Sequence, residues 1–311
     1  MAKFRLGLVG AGRMGQTHLR AIALSDLVEV VSIAEPSPAN RGMLTSSKAK
    51  VFADTESMLK SGGLDGVLVA VPSPFHVPTV EQIASAGLPI LCEKPCGITA
   101  AHAAQAASIV AKKSVLLQIA YWRRFVPSLK ALRDRIMAGD LGDLYFVACW
   151  QWDQTPPATS FRKSGGGIFI DMGVHEFDQM RWLTGQDFVN FRVSSAQAVY
   201  ADAVPGDPDA VQALCDLSGG ASGLISLGRR YAPGDSCWAQ AFGTKASEEC
   251  RFLSPSEGEV AFIAGLKLQA ESFALAVNGK PCEGATVQDA IAALQAAELA
   301  TKQLTVMKPK S

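Results

Sequence analysis

The chain of 311 residues has no excess of either charge and no long run of basic residues. Its 29 lysines and arginines are balanced by 29 aspartates and glutamates, so the formal net charge at pH 7 is zero. Binding to nucleic acid or to an anionic membrane surface normally requires a basic patch. We therefore expect neither nucleic acid nor a membrane to be a partner of this protein.

The cysteines follow no recognisable pattern. Their number is odd, and their spacings match neither a disulfide framework nor a zinc site. The seven positions are Cys92, Cys96, Cys149, Cys215, Cys237, Cys250 and Cys282. We interpret all of them as reduced thiols in a reducing compartment.

From the sequence we expect neither a membrane-spanning segment nor a targeting segment. The longest apolar runs look too short or too interrupted to span a bilayer. Residues 1–3 lead straight into an apolar strand, which leaves no room for a signal peptide. The sequence therefore predicts a cytoplasmic protein. With 48% hydrophobic and 19% charged residues, a chain of 311 residues can form two domains with separate cores.

A glycine-rich turn is the clearest motif that the chain does contain. The hexapeptide Gly10-Ala11-Gly12-Arg13-Met14-Gly15 follows the apolar run 4–9 and precedes a helical pattern. In this setting G-x-G-x-x-G indicates dinucleotide binding. Its glycines permit the tight turn, the approach of the main chain to a pyrophosphate and the close packing of helix on strand. Amides at the helix N-terminus then bind the anion.

An acidic residue stands at the expected distance from this motif. Glu35 lies twenty residues beyond Gly15, at the end of the apolar run 28–34. In a dinucleotide-binding unit, such a carboxylate accepts hydrogen bonds from the adenosine ribose and repels a 2′-phosphate. No arginine follows it directly, so the sequence favours NAD over NADP, although Arg41 is near enough to leave NADP open.

The pattern of strands and helices changes near residue 121. Before it, continuous apolar strands alternate with helices, which predicts a parallel sheet covered on both faces and hence a Rossmann domain over residues 1–121. After it come longer strands of alternating character and two late helices, which predict a second α/β domain over residues 122–311. The stretch 216–222 is typical of a hairpin turn.

A second cluster of polar residues is Glu93-Lys94-Pro95, at the carboxyl end of the fourth predicted strand. Ligands of open α/β sheets bind beyond the carboxyl ends of strands. Lys94 is therefore placed to reach the nicotinamide and a substrate oxygen. The alternative is a surface lysine in a strand-to-helix loop.

A third cluster follows three glycines at 165–167. From residue 169 on the sequence looks helical, and there Asp171 and His175 are four residues apart on one face. The carboxylate can orient the imidazole, which suits a general base that accepts a hydroxyl proton as hydride leaves the carbon. A surface pair without catalytic function is the alternative. A metal site that also uses Asp178 lacks further ligands, so we expect no metal.

With these three clusters in place, the chain resembles the Gfo/Idh/MocA family, named after glucose–fructose oxidoreductase, inositol dehydrogenase and rhizopine catabolism. The motifs occur in the family's order and spacing across essentially the whole chain, and they are most similar to those of inositol or sugar dehydrogenases. The resemblance implies a Rossmann domain and a C-terminal α/β domain with an open, mostly antiparallel sheet that supports a homodimer or homotetramer. It also implies hydride transfer between a nicotinamide cofactor and a sugar, inositol or related polyol.

The resemblance also assigns roles to single residues. His175 would be the acid/base, Asp171 its orienting partner and Lys94 a hydrogen-bond donor to the reacting oxygen. In residues 71–76, valine and serine replace the family's threonine and asparagine, so backbone contacts to the cofactor are expected there. The cofactor-binding residues would be Gly10, Gly12, Arg13, Met14, Gly15, Glu35, Val71, Pro72, Ser73, His76, Glu93 and Lys94.

Three further residues are candidates for substrate contacts. Arg123 lies at the predicted domain junction beside Arg124, and either arginine could instead form a structural salt bridge. Asp153 ends a tryptophan-containing strand, where a carboxylate could accept hydrogen bonds from substrate hydroxyls. Arg162 could read an acidic or phosphorylated substrate, or pair with an acid of the protein.

The sequence therefore predicts an NAD-dependent dehydrogenase that oxidises a secondary hydroxyl of a cyclic polyol, either an inositol or an aldose. One alternative is a glycosidase that oxidises its substrate transiently with tightly held NAD. Family members of that kind tend to carry histidine-rich site segments, and this chain has only four histidines, which disfavours the alternative. The other is a non-catalytic NAD-binding regulator. The presence of Lys94, Asp171 and His175 argues against a regulator, which has no need of a base.

Overall fold

The computed structural model describes residues 2–44 and 48–304, and it divides the chain into two compact units. The first unit comprises the chain up to residue 125 together with 262–291, and the second comprises 126–261 together with the chain from 292 on. The compact units are thus discontinuous in sequence, whereas the predicted NAD-binding and substrate-binding domains meet at one boundary between residues 121 and 122. That functional assignment stays a prediction.

The described residues form thirteen strands and ten α-helices. The strands are β1 (Phe4–Val9), β2 (Val28–Ala34), β3 (Lys50–Phe52), β4 (Gly66–Val69), β5 (Ile90–Cys92), β6 (Leu117–Ile119), β7 (Leu144–Trp152), β8 (Phe188–Ala196), β9 (Ala210–Leu217), β10 (Ser222–Gly228), β11 (Ser236–Gly243), β12 (Ser247–Leu253) and β13 (Ala285–Thr286). The helices are α1 (Arg13–Ile22), α2 (Pro38–Gly42), α3 (Thr55–Lys60), α4 (His76–Ser85), α5 (Ala100–Lys113), α6 (Pro127–Met137), α7 (Thr159–Ser164), α8 (Val174–Thr184), α9 (Val260–Val277) and α10 (Val287–Lys302).

The sheet of the first unit has the strand order β13-β6-β5-β4-β1-β2-β3. Strands β1 to β6 pair in parallel, and β13 pairs antiparallel to β6 at the edge. The order reverses at β1, which is the switch point at which doubly wound sheets bind their ligands. The predicted Rossmann fold is confirmed, and its carboxyl edge carries the glycine-rich turn, Glu35 and Glu93-Lys94.

Residues from the late part of the chain complete the core of this unit. The side chain of Phe273 in α9 is fully buried, and its ring meets Phe4 edge-on with the centroids 5.9 Å apart. Gly66 leaves room for this ring, since a Cβ there would lie 3.0 Å from Phe273 Cε1. Apolar burial of this kind explains why residues 262–291 group with the first unit.

Helix α9 corrects the expectation about apolar runs. It has 18 residues with a mean hydropathy of 1.5, so by length and composition alone it is long and apolar enough to cross a membrane. One such helix is weak grounds for a membrane span, because core helices of globular proteins pass the same test. Here Leu266, Ala270 and Phe273 are buried in the fold.

The second unit has a six-stranded sheet with the order β12-β11-β7-β10-β9-β8. Four of its five pairings are antiparallel, which confirms the mostly antiparallel sheet, and β9 and β10 form the predicted hairpin. The remaining pair, β7 with β10, is parallel and aligns Trp152 with Gly228. Both strands therefore end at the same edge of the sheet, where Asp153 and Arg229 follow them.

Candidate active site

The glycine-rich turn joins β1 to α1 in the first unit. Gly10 has a φ of +92°, and a Cβ there would lie 2.7 Å from the carbonyl oxygen of Ala70. A Cβ on Gly15 would overlap the carbonyl oxygen of Gly10. Both positions therefore require glycine for the fold itself, one for its conformation and one for the contact of α1 with the turn.

Gly12 behaves differently from its neighbours. Its φ of −68° is open to any residue, and a Cβ there would meet no atom within 4 Å. Nothing in the fold of the chain thus demands glycine at this position. The open space lies at the N-terminus of α1, where no side chain caps the helix and a pyrophosphate could approach the free amides. The turn therefore fits a dinucleotide.

Glu35 is buried at the end of β2 and is held by the backbone on both carboxylate oxygens. Oε2 accepts a hydrogen bond from Ala11 N at 2.6 Å, and Oε1 accepts one from Ser37 N at 2.8 Å. Each oxygen keeps a further lone pair for a ribose hydroxyl. Arg41 donates through Nη1 to the main-chain carbonyl oxygens of Glu35 and Pro36, both at 2.8 Å, so its guanidinium is held against the backbone that follows β2.

His76 ties together two of the predicted cofactor-binding segments. Its Nδ1 lies 2.7 Å from the carbonyl oxygen of Pro95, and its Nε2 lies 2.8 Å from that of Val71. The ring is buried, and burial lowers its pKa despite these two carbonyls. A neutral ring donates through one nitrogen only. His76 thus lies between the segment after β4 and the segment after β5 and donates a hydrogen bond to one of the two carbonyl oxygens at a time.

Glu93 has a buried partner that the sequence analysis did not find. Its Oε1 lies 2.6 Å from His18 Nε2, and its Oε2 accepts a hydrogen bond from Lys94 N at 3.1 Å. Burial alone would raise the pKa of Glu93, but the hydrogen bond and charge of His18, together with the charge of Lys94, lower it. His18 therefore links α1 to the loop that presents Lys94. The sequence signal that could have identified His18 is its position in α1, about one turn after Gly15.

The other predicted site residues of the first unit are Arg13, Met14, Pro72, Ser73 and Arg123. Arg13 is exposed at the start of α1 and Met14 is half-buried beside it. Pro72 and Ser73 enter the short 3₁₀ turn Ser73–Phe75 that precedes α4. Arg123 is buried in the 3₁₀ turn Trp122–Phe125. Its neighbour Arg124 lies 3.3 Å from Asp289, which agrees with a structural salt bridge for that arginine.

In the second unit, the predicted helix begins with a different geometry. Residues Phe169–Gly173 form a π-helical turn that continues into α8, so Asp171 lies in the wider turn and His175 in the α-helix. Such π turns are frequent at functional sites. His175 is buried, while the side chain of Asp171 keeps 14% of its surface exposed. The predicted helix is confirmed, with this change in its first turn.

Asp171 is held by an arginine that the sequence analysis did not identify. Arg229 Nη2 donates to Asp171 Oδ2 at 2.9 Å and to Asp207 Oδ1 at 2.7 Å. Burial alone would lower the pKa of Arg229, but the charges of Asp171 and Asp207 raise it. The contact joins the end of β10 to the π-helical turn, two segments 58 residues apart, and the sequence carried no signal for it.

Arg162 belongs to the same group of charges. Its side chain has no exposed surface; Nε donates to Asp207 Oδ2, Nη2 to the carbonyl oxygen of Asp207, and Nη1 to Asp202. This arrangement favours the alternative of pairing with acids over a direct contact with substrate.

Asp153 is placed differently from Arg162. It follows β7 and accepts a hydrogen bond from Gln151 Nε2 at 3.0 Å. Burial raises the pKa of Asp153, although Gln151 and the charge of Arg229 oppose the shift. Its role as a hydrogen-bonding group for substrate hydroxyls stays a prediction. Among the described residues, no group of three or more His, Cys, Asp or Glu side chains is arranged to hold a metal ion.

Two family models match this chain. The model of the oxidoreductase family with an NAD-binding Rossmann fold, GFO_IDH_MocA, matches residues 4–121. The model of the GFO/IDH/MocA C-terminal domain matches residues 129–249. The first match covers β1 to β6, and the second covers the strands that carry Asp153 and Arg229.

Individual proteins agree with the family models. The rhizopine catabolism protein MocA of Rhizobium meliloti is 58% identical over 305 residues, which are 98% of this chain and 96% of that protein. An inositol 2-dehydrogenase of Rhizobium meliloti strain 1021 is 29% identical over 260 residues, with 83% and 78% covered. The crystal structure of a myo-inositol dehydrogenase from Corynebacterium glutamicum superposes with a TM-score of 0.88 at 23% identity, covering 97% of this chain and 96% of that one.

Proposed function

This chain belongs to the Gfo/Idh/MocA family of NAD-binding oxidoreductases, and we propose that it oxidises a secondary hydroxyl of a cyclic polyol of the inositol type. It is a dehydrogenase that acts on CH–OH groups, and its cofactor is NAD. The observation that carries the proposal is the 58% identity to a rhizopine catabolism protein over nearly the whole chain. The proposal takes Lys94, Asp171 and His175 as the catalytic residues, as the resemblance to the family implies.

In the proposed reaction, His175 accepts the proton of the substrate hydroxyl while the carbinol carbon loses a hydride. Bound NAD supplies the hydride acceptor, so the products are a ketone, NADH and a protonated His175. Asp171 orients the imidazole and stabilises its positive charge. Lys94 donates a hydrogen bond to the reacting oxygen, which favours the developing alkoxide.

The first unit supports the cofactor part of this proposal. Gly12 leaves open space at the N-terminus of α1 for a pyrophosphate, and Glu35 offers carboxylate oxygens for ribose hydroxyls. The contacts of His18 with Glu93, and of His76 with the Pro95 and Val71 carbonyls, hold the loop of Lys94 in place. We propose Gly10, Gly12, Gly15, Glu35 and the two loops as the NAD-binding residues.

The substrate proposal rests on the relatives and on Asp153. The relatives are named for rhizopine catabolism and for inositol dehydrogenation. A half-buried carboxylate such as Asp153 suits a substrate rich in hydroxyl groups. A homodimer or homotetramer and a location in the cytoplasm remain predictions that accompany this proposal.

A substrate panel tests the proposal directly. The purified full-length protein is incubated with NAD and, in turn, with myo-inositol, scyllo-inositol, rhizopine and a set of aldoses, and NADH formation is followed by its absorbance. Turnover with an inositol or rhizopine that exceeds turnover with aldoses supports the proposal. NAD binding without NADH formation from any compound would indicate a regulator, and release of a leaving group from a glycoside would indicate a glycosidase.

A further inference from the structure

Arg229 is buried directly behind the proposed catalytic pair of the second unit. Only about 1% of its surface is exposed, and it follows the last residue of β10. Its Nη2 bonds Asp171 Oδ2 at 2.9 Å across 58 residues of sequence. Because this contact holds one oxygen of Asp171, it restricts the orientation of the whole carboxylate.

We infer that Arg229 is a positioning residue of the dehydrogenase, which holds the Asp171 carboxylate in the orientation that serves His175. This inference rests on the proposed function, because the roles of Asp171 and His175 are part of it. Arg229 itself does not act on the substrate in this scheme. Its effect reaches the reacting atoms only through Asp171.

The charges behind Arg229 explain why it is held so firmly. Opposite charges alternate along one connected series of side chains: Asp171, Arg229, Asp207, Arg162, Asp202, Arg230 and Asp209. Asp207 and the Arg162 side chain have no exposed surface, so each of these buried ions needs a partner on both sides. The series therefore fixes the Arg229 guanidinium before any substrate arrives.

The position of Asp171 at the end of this series is informative. Asp207 accepts hydrogen bonds from both Arg162 and Arg229. Arg229 also donates to Asp171, the carboxylate in the π-helical turn. Asp153 lies within electrostatic range of both Arg229 and Asp171, and Asp235 adds a further negative charge. The positive charge of Arg229 thus offsets part of the repulsion between the acids at this edge of the sheet.

The acids on α8 complete the surroundings of His175. Glu176 and Asp178 are buried next to it in sequence, on the same helix. Replacing Arg229 with a neutral residue leaves Glu176 and Asp178 in place and removes the cation that Asp171 shares with Asp207. The uncompensated Asp171 would then favour the protonated imidazole, so the titration midpoint of His175 would move to higher pH.

The chain offers a matched control for this test. Arg230 is the neighbouring arginine of the same series, but it contacts Asp202 and Asp209 rather than Asp171. Arg230→Gln therefore removes one cation from the network without touching the catalytic pair. Arg229→Gln removes the cation at Asp171, and Arg229→Lys keeps a charge but loses the forked geometry.

The experiment follows the four histidines of the full-length protein by NMR with NAD bound, with His175→Ala to assign its signal. We expect Arg229→Gln to raise the titration midpoint of His175 and to lower kcat about 10- to 100-fold with a smaller change in KM, a typical loss for a group that holds a functional residue from behind. Arg229→Lys should recover part of kcat, and Arg230→Gln should change neither quantity. If Arg229→Gln does not fold, a kcat of Arg229→Lys equal to wild type would overturn the inference.

Asp171→Asn separates the two proposals. If Asp171→Asn lowers kcat and moves the His175 midpoint while Arg229→Gln does neither, the positioning role is overturned and the catalytic pair stands. If Asp171→Asn leaves kcat and the midpoint unchanged, the proposed role of Asp171 fails, and the positioning role fails with it. In the double variant, Arg229→Gln should add little to Asp171→Asn, since both act through one carboxylate.

Discussion

The buried carboxylate of Glu35 has structural contacts in addition to its proposed role in cofactor binding. Its oxygens accept hydrogen bonds from the amides of Ala11 and Ser37, so it braces the glycine-rich turn as well as facing the proposed ribose site. Hydrogen bonds to a charged group each contribute about 1.5–3 kcal/mol. Substitution of Glu35 will therefore act on the conformation of the turn and on cofactor choice together.

We predict that Glu35→Ser lowers the preference for NAD over NADP. Serine removes the charge that repels a 2′-phosphate, and Arg41 already lies beside the site, so the ratio of the two dissociation constants should shift about 10-fold or more toward NADP. Equilibrium titration with each cofactor measures the ratio. Glu29→Ser, on the exposed side of β2, is the control and should leave the ratio unchanged. If the ratio of the NAD and NADP dissociation constants is the same in both variants, a group other than Glu35 determines which cofactor binds.

We predict that His175→Ala removes most turnover while NAD still binds. The loss of a general base costs about 100- to 10,000-fold in rate, whereas the cofactor-binding residues proposed above lie in the first unit. Steady-state kinetics with the best polyol and NAD titration give the two quantities. His102→Ala, in α5, is the matched control and should retain normal turnover. Retained turnover in His175→Ala would remove His175 from the mechanism.

The turn between β1 and α1 separates the demands of folding from those of binding. Gly10 and Gly15 are required by contacts within the chain, but a Cβ on Gly12 meets nothing within 4 Å. We predict that Gly12→Ala changes the free energy of unfolding by less than about 1 kcal/mol. It should weaken NAD binding at least about 10-fold, because the methyl group occupies the path of the pyrophosphate.

The control for this variant is Gly42→Ala in α2, where a Cβ also meets nothing within 4 Å. Urea unfolding and NAD titration are run on both proteins. Gly42→Ala should leave both quantities near the wild-type values. A Gly12→Ala protein that binds NAD normally would show that the main chain at residue 12 does not approach the cofactor.

Elements with strong local signals were predictable from the sequence. β1 and β2 begin and end where the apolar runs 4–9 and 28–34 do. The Thr99 side chain caps α5, and Thr286 forms a reciprocal capping box with Asp289 just before α10. These features depend on neighbouring residues, and neighbouring residues are what a single sequence displays.

Pairings between distant elements were not predictable in the same way. Strands β11 and β12 carry mixed polar and apolar residues and so have a weak local signal, although β11 lies within the second sheet and β12 at its edge. The contact of Arg229 with Asp171 joins the end of β10 to the π-helical turn, and no local pattern encodes it. The catalytic candidates were thus found through a family motif, while their support was visible only in three dimensions.

The chain closes its first compact unit with a segment that lies more than 130 residues further on. We predict that Phe273→Ala lowers the free energy of unfolding of this unit by about 3–5 kcal/mol, because its ring is fully buried against Phe4. Leu275→Ala, on the exposed side of α9, should cost about 0.5 kcal/mol. Urea unfolding, with NAD release as the probe, gives the free energy of unfolding of each variant. Equal decreases in the two variants would contradict the assignment of α9 to this core.

The distribution of the cysteines gives a prediction for the molecule as a whole. All seven are free thiols, of which Cys282 is exposed and the other six are buried, and burial raises the pKa of Cys215 to about 12. A thiol reacts as its thiolate and only where the reagent can reach it. We therefore expect a thiol-specific chromogenic reagent to titrate one group rapidly in the native protein and seven after denaturation, with Cys282→Ser removing the rapid group. Rapid reaction of several groups in the native protein would mean that the cores open far more readily than their packing implies.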